Sequence, residues 1–168
     1  MRYTENSSLS LRGFFLMVVM SLIGSISCSA HQGLHANRCK MTYYNKGTAH
    51  AIDKQYHQRI LDIINDLVSG ATDNPRIMVI DETIKRAKES DCLEIEFADK
   101  VEYRVADGHT LSLERILIPL TDGEQQQKPR VSFYWGRKTY ISPPYRNVQG
   151  DSLIRQLVGI LRDTLSKH

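Results

Sequence analysis

Two hydrophobic periods share this chain, and they divide it into strands and helices. Near the centre, "CLEIEF" sets Leu93, Ile95 and Phe97 against Glu94 and Glu96, and "VEYRV" repeats the pattern with Val101, Tyr103 and Val105 on the apolar side. A period of two marks a strand with one face on a core. The short Ala98-Asp99-Lys100 link is expected to join these two as a hairpin, and Asp107-Gly108 is a second tight-turn signal. In "LSLERILIPL" the alternation changes phase at Glu114-Arg115, which predicts a β-bulge. Beyond it Ile116, Leu117, Ile118 and Leu120 leave both faces apolar, so this stretch is expected to be covered on both sides. "VSFYW" and "KTYIS" flank Gly136-Arg137 as a further hairpin, and Pro143-Pro144 is expected to end the sheet. "RCKMTYYN" reads as a first strand closed by the turn Asn45-Lys46-Gly47, and "PRIMVI" as a short apolar strand.

The second period is helical. Ile52, Tyr56, Ile60, Ile63, Ile64 and Leu67 recur at helical spacing before Gly70, and Asp81 is placed to cap "ETIKRAKES". A last amphipathic helix follows Asp151, with the stripe Leu153, Leu157, Ile160, Leu161 and Leu165. This order of elements implies an α+β domain, a mainly antiparallel sheet with amphipathic helices packed on one face. "TDGEQQQKP" reads as an exposed loop of that sheet.

The N-terminus follows neither pattern. Arg2 and Arg12 precede the apolar run "FFLMVVMSLI", which is shorter than the roughly 20 residues that cross a hydrocarbon core and gives way to the small residues Gly24, Ser25 and Ser27. This is the layout of a secretory signal. Ile26-Ser27-Cys28 resembles the end of a bacterial lipobox, with Ser25 where the pattern favours an aliphatic residue. The resemblance covers the signal segment only. It implies residues 1–27 as a lipoprotein-type signal peptide, Cys28 as the acylated first residue of the mature chain, and a membrane partner through that anchor. Ser29 in the next position resembles the outer-membrane sorting class, which would place the protein on the periplasmic side of that membrane in a Gram-negative cell. Cleavage after Ala30, or ordinary cleavage before Cys28, would instead give a secreted or periplasmic soluble protein. The polar, small "SAHQGLHAN" suits a flexible tether over 28–37, leaving 38–168 as a single domain.

If Cys28 is acylated, Cys39 and Cys92 remain as an even pair in an oxidising compartment and are expected to form a disulfide. Neither lies in a C-x-x-C pair, so no redox motif arises. The 168 residues suffice for one proper core, and 41% hydrophobic with 24% charged residues excludes wholesale disorder. The formal charge of +3 is spread along the chain without a basic stripe, so nucleic acid is not an expected partner.

Searches for chemistry return little. The chain carries no G-x-S-x-G elbow, H-E-x-x-H pair, phosphate loop or dinucleotide fingerprint, and no cofactor is called for. His50, Asp53 and His57 would share an edge on a continuous helix and so offer metal ligands; Asp53 as a helix cap would dissolve that alignment, and no metal site is assigned. His31 and His35 lie in the tether beside Gly33, and His109 follows a turn. The densest candidate is "FYWGRKTYISPPYRN", where Tyr134, Trp135, Tyr140 and Tyr145 stand beside Arg137, Lys138 and Arg146. Such side chains stack on rings, grip carboxylates and dominate interface energetics, although alternation sends part of the set into the core. The expected function is therefore a non-enzymatic, lipid-anchored envelope protein that binds another envelope protein or a cell-wall component. The alternative is an envelope enzyme, hydrolytic or metal-assisted, with a site assembled from dispersed residues.

Overall fold

The computed structural model describes residues 38–120 and 131–166. Cys28, His31, His35, the signal and tether, and the loop "TDGEQQQKP" lie outside the described residues. Six antiparallel strands form one sheet in the order β2-β1-β3-β4-β5-β6, and with its helices the domain is α+β.

Strands β1 (Cys39–Asn45) and β2 (Thr48–Ala51) form a hairpin around Lys46 and Gly47, whose φ angles of 48° and 83° are both left-handed. Such a turn matches the twist of its strands. Asp53 then caps a short 3₁₀ turn, Lys54–Tyr56, by accepting the Gln55 N–H at 3.0 Å. Helix α1 (His57–Ser69) buries Ile60, Leu61, Ile63, Ile64, Leu67 and Val68. Its last turn is held from across the fold, because Asn147 Nδ2 donates to the Leu67 carbonyl at 2.9 Å and satisfies one of the open helix-end acceptors. Helix α3 (Asp151–Leu165) buries Ile154, Leu157, Ile160 and Leu161, with Leu153 and Leu165 at the margin of the core. Together α1 and α3 pack on one face of the sheet, over Met41, Leu93, Ile95, Ile116, Ile118 and Phe133.

The link from α1 to the next helix departs from the expected strand. "PRIMVI" is not paired: Asp73 makes a single bridge to Arg146, and Pro75, lacking an N–H, cannot carry a ladder further. The segment instead wraps the sheet edge as a strap, leaving Ile77, Met78 and Ile80 exposed at 51%, 78% and 53%. Helix α2 (Asp81–Glu89) follows, with Ile80 rather than Asp81 in the capping position. None of its residues is buried, and it lies across the opposite, outer face of the sheet.

Strand β3 (Cys92–Arg104) is continuous, so Ala98-Asp99-Lys100 is not a hairpin turn. Its partner β4 (Thr110–Pro119) runs beside both halves, with Glu96 opposite Arg115 and Val101 opposite Leu113. Residues 97–100 therefore bulge against Glu114 alone, which is where the β4 alternation changes phase. Leu111 and Leu113 face the core before the break, Ile116 and Ile118 after it. The bend carries the hairpin tip back to the strap, where the Ala106 N–H donates to the Ala71 carbonyl at 3.1 Å.

Strands β5 (Val131–Gly136) and β6 (Tyr140–Asn147) complete the sheet, joined by Arg137, Lys138 and Thr139 rather than by Gly136-Arg137. Pro143-Pro144 does not end the sheet. Both prolines sit within β6, an edge strand with a register shift, where their missing donors cost least. Trp135 Nε1 donates to the Pro143 carbonyl at 3.2 Å and helps to hold this irregular stretch.

The expected disulfide between Cys39 and Cys92 is absent. Cys39 lies opposite Phe97 and Cys92 opposite Tyr44, five residues further along β1. At about 3.4 Å per residue they are roughly 17 Å apart, far beyond disulfide reach.

Two glycines give a paired test. A Cβ on Gly136 would clash with the Thr139 carbonyl oxygen, whereas one on Gly159 meets nothing within 4 Å on the exposed side of α3. Gly136→Ala is expected to lower stability by more than about 2 kcal/mol and Gly159→Ala to raise it by about 0.5–1 kcal/mol, as read from urea unfolding.

Candidate functional site

The outer face of the sheet carries the polar chemistry of the domain. Register places Thr42, Glu94, Leu117 and Tyr134 in one row across β1, β3, β4 and β5, and Lys40, Glu96, Arg115 and Gly136 in the next. Alternation points these side chains away from α1 and α3, yet Glu94 is only 5% exposed and Leu117 fully buried. Helix α2 and the aromatic rings beneath it provide the cover.

Glu94 is the centre of this face. Its carboxylate accepts the Tyr140 hydroxyl at 2.6 Å, the Tyr44 hydroxyl at 3.0 Å and Lys88 Nζ at 2.7 and 2.8 Å. The Tyr140 bond spans the sheet from β6 to β3. It crosses β5 at Gly136, the one position in that row without a side chain to block the ring. Burial alone would push the Glu94 carboxyl up; the hydrogen bonds from Lys88 and Tyr140, with the Lys88 charge, outweigh it and hold the group below the ordinary carboxylate value. Tyr140 and Tyr44 are raised, first by burial and then by the Glu94 charge, so both remain hydroxyl donors. Cys92 lies in the adjoining row, where burial and the same negative charge push its thiol up to about 12. It is a structural thiol, not a nucleophile.

Above this cluster a cleft of about 490 Å³ opens between α2 and the sheet. Asp81, Lys85, Lys88 and Glu89 line it from the helix, Arg115 and Tyr140 from the strands and Lys138 from the β5–β6 turn. Lys88 Nζ stands 5.2 Å from the Tyr44 ring centroid and the Arg115 guanidinium 5.7 Å from that of Tyr140, both cation–π contacts. Arg115 also bonds Glu96 at 3.3 Å.

The aromatic and basic segment proposed from the sequence is divided by the sheet. Trp135 and Tyr145 turn inward with Phe133, Tyr145 stacking on Phe133 at 6.2 Å between centroids. Tyr134 and Tyr140 turn outward; Lys138 joins Tyr140 at the cleft, while Tyr134 lines a separate hollow. Arg137 is exposed and bonds Ser112 at 3.3 Å, while Arg146 pairs with Asp73 at 3.3 Å and braces the strap. Glu94, Lys88, Tyr44 and Arg115 were not among the sequence candidates. The available signal was Leu117, apolar on a face otherwise polar, which implied that something covers it.

The histidines do not converge. His50 lies on β2, Asp53 caps the 3₁₀ turn and His57 opens α1, its Nε2 3.1 Å from the Ile52 carbonyl. Among the described residues no group of three or more His, Cys, Asp or Glu side chains could hold a metal ion. His57 Nδ1 also lies 3.8 Å from Cys39 Sγ, but burial raises the Cys39 thiol rather than activating it. His109 is exposed at its turn, where its N–H donates to Asp107 at 2.9 Å.

No family model, curated protein or solved structure matches the chain.

Glu94→Gln keeps the shape but removes the charge that Lys88, Tyr44 and Tyr140 share, and is expected to cost about 1–3 kcal/mol at neutral pH. A carboxyl depressed in the folded state contributes stability that is complete above its ordinary value of 4.5 and is lost as pH falls through the depressed one. The difference between wild type and variant, measured by urea unfolding, should therefore shrink in acid.

Proposed function

We propose that the chain is an exported, lipid-anchored cell-envelope protein whose α+β body is a non-enzymatic binding module for another envelope protein or a cell-wall component. The address is supported by the short apolar run and by Ile26-Ser27-Cys28. In this reading the anchor is the acyl group on Cys28; no helix among the described residues is long and apolar enough to cross a membrane.

The observation that carries the binding reading is the strap. Isolated exposed apolar side chains are ordinary, but Ile77, Met78 and Ile80 are exposed within four positions on irregular backbone. Ile80 also lines a second hollow with Tyr134 and Pro119, so apolar surface continues onto the outer face. A partner seated there would cover side chains that the fold leaves in water. The enzymatic alternative would be favoured by a cleft joining His50, Asp53 and His57, which lie on β2, at the cap of the 3₁₀ turn and at the start of α1.

Cys28→Ser should abolish lipid labelling and release the protein from membranes, whereas the wild type stays bound through a high-salt wash. Intact mass gives the decisive reading: a mature chain starting at Cys28 without added lipid mass, or starting at His31, rejects the anchor. For the binding half, a photo-crosslinking amino acid at Met78 should yield a discrete adduct in intact cells, and one at Gln156 on the exposed side of α3 should not. Equal or absent adducts at the two positions would reject the strap as an interface.

A further inference from the structure

We infer that the partner of the strap is a second copy of this chain, the two straps lying antiparallel about a two-fold axis with Arg76 of each facing Asp81 of the other. This rests on the reading of the strap as an interface and names what it binds.

The run Arg76-Ile77-Met78-Val79-Ile80-Asp81 carries a cation at one end, an anion at the other and four apolar residues between. Laid against itself in the opposite direction, such a run sets an anion opposite each cation, so it complements itself. A two-fold interface requires that property, because one patch must fit another copy of the same patch. Arg76 and Asp81 are both exposed, and neither makes an ion pair among the described residues. Their charged neighbours are engaged: Asp73 with Arg146 at 3.3 Å, Glu82 with Arg86 at 3.2 Å and Lys85 with Glu89 at 4.0 Å. The two ends of the run are left for a partner, and their opposite signs select a copy in antiparallel register.

The apolar residues fit the same register. With Arg76 opposite Asp81, Ile77 lies opposite Ile80 and Met78 opposite Val79. Ile80 lines a hollow of about 370 Å³ with Pro119 and Tyr134. Met78 is 78% exposed, and its unbranched side chain suits an irregular gap, so each Met78 enters the hollow of the other copy. The Ile77 N–H is turned to the Pro75 carbonyl at 2.7 Å, so side chains make the contact rather than a continuous backbone ladder. A contact of this size is at the small end for protein interfaces, and anchoring to one membrane surface raises the effective concentration of the copies.

The test uses the full chain in intact cells, with the photo-crosslinking amino acid at Met78 and two distinguishable epitope tags. The adduct should have twice the mass of the mature chain and carry both tags. Arg76→Asp alone, or Asp81→Arg alone, sets like charges opposite each other at both ends of the contact, and each should lower the adduct about tenfold. Co-expressing the two single variants should restore it in mixed pairs, since one chain then carries anions at both positions and the other cations. Rescue by mixing also shows that each variant is folded. A dimer adduct indifferent to the single reversals, or not restored by mixing, overturns the inference. A Met78 adduct to a different molecule overturns it while the binding-module reading stands, and the absence of any adduct removes both.

Discussion

The bend in the β3–β4 hairpin is the constraint on which the rest of the domain depends. Residues 97–100 oppose only Glu114, so the second half of the hairpin folds over the core instead of continuing the sheet. This closes a side of the core that α1 and α3 leave open, using Tyr103, Val105, Leu111 and Leu113. It also delivers Ala106 to Ala71, which fixes where α1 hands over to the strap. Without that handover the strap would have no fixed route to the outer face, and α2 would have no start point.

Helix α2 is then held by charge as well as by partial apolar cover from Ile84 and Ala87. None of its residues is fully buried, so apolar packing alone holds it weakly. Lys88 reaches into the sheet to Glu94, and two tyrosines from strands far apart in sequence complete that carboxylate. A buried ion pair of this kind adds little net stability over an apolar contact, but it specifies position. The Lys88–Glu94 pair fixes where the helix sits over the strands beside the cleft.

How much of this could be read from the sequence varies with the range of the interaction concerned. The alternation in "CLEIEF" and the stripe through Ile60, Ile64 and Leu67 are local, and they identified strand and helix correctly. The phase change at Glu114-Arg115 marked a real break, but its extra residues lie on β3, where Ala98-Asp99-Lys100 imitated a turn. "PRIMVI" has strand composition without an available partner, so propensity was overruled by Pro75 and by the sheet edge it reaches. The disulfide failed because parity counts thiols and says nothing of distance along paired strands. Of the site, Tyr140 and Lys138 were visible as members of a dense segment. Glu94 was not, because burial of a residue on the polar side of a strand depends on how a separate helix docks over it, which local alternation does not reveal.

The two ends of the sheet bear on self-association. An open strand edge is a template for adding further strands, and molecules held at high local density on one surface would meet such edges often. Here one edge is β2, only four residues long, and the other is β6, interrupted by Pro143-Pro144 and engaged at Arg146 by the strap. Neither offers a long run of unsatisfied backbone. The sheet is therefore protected against the edge-to-edge stacking that leads to fibrils, and contacts with other molecules are left to side chains.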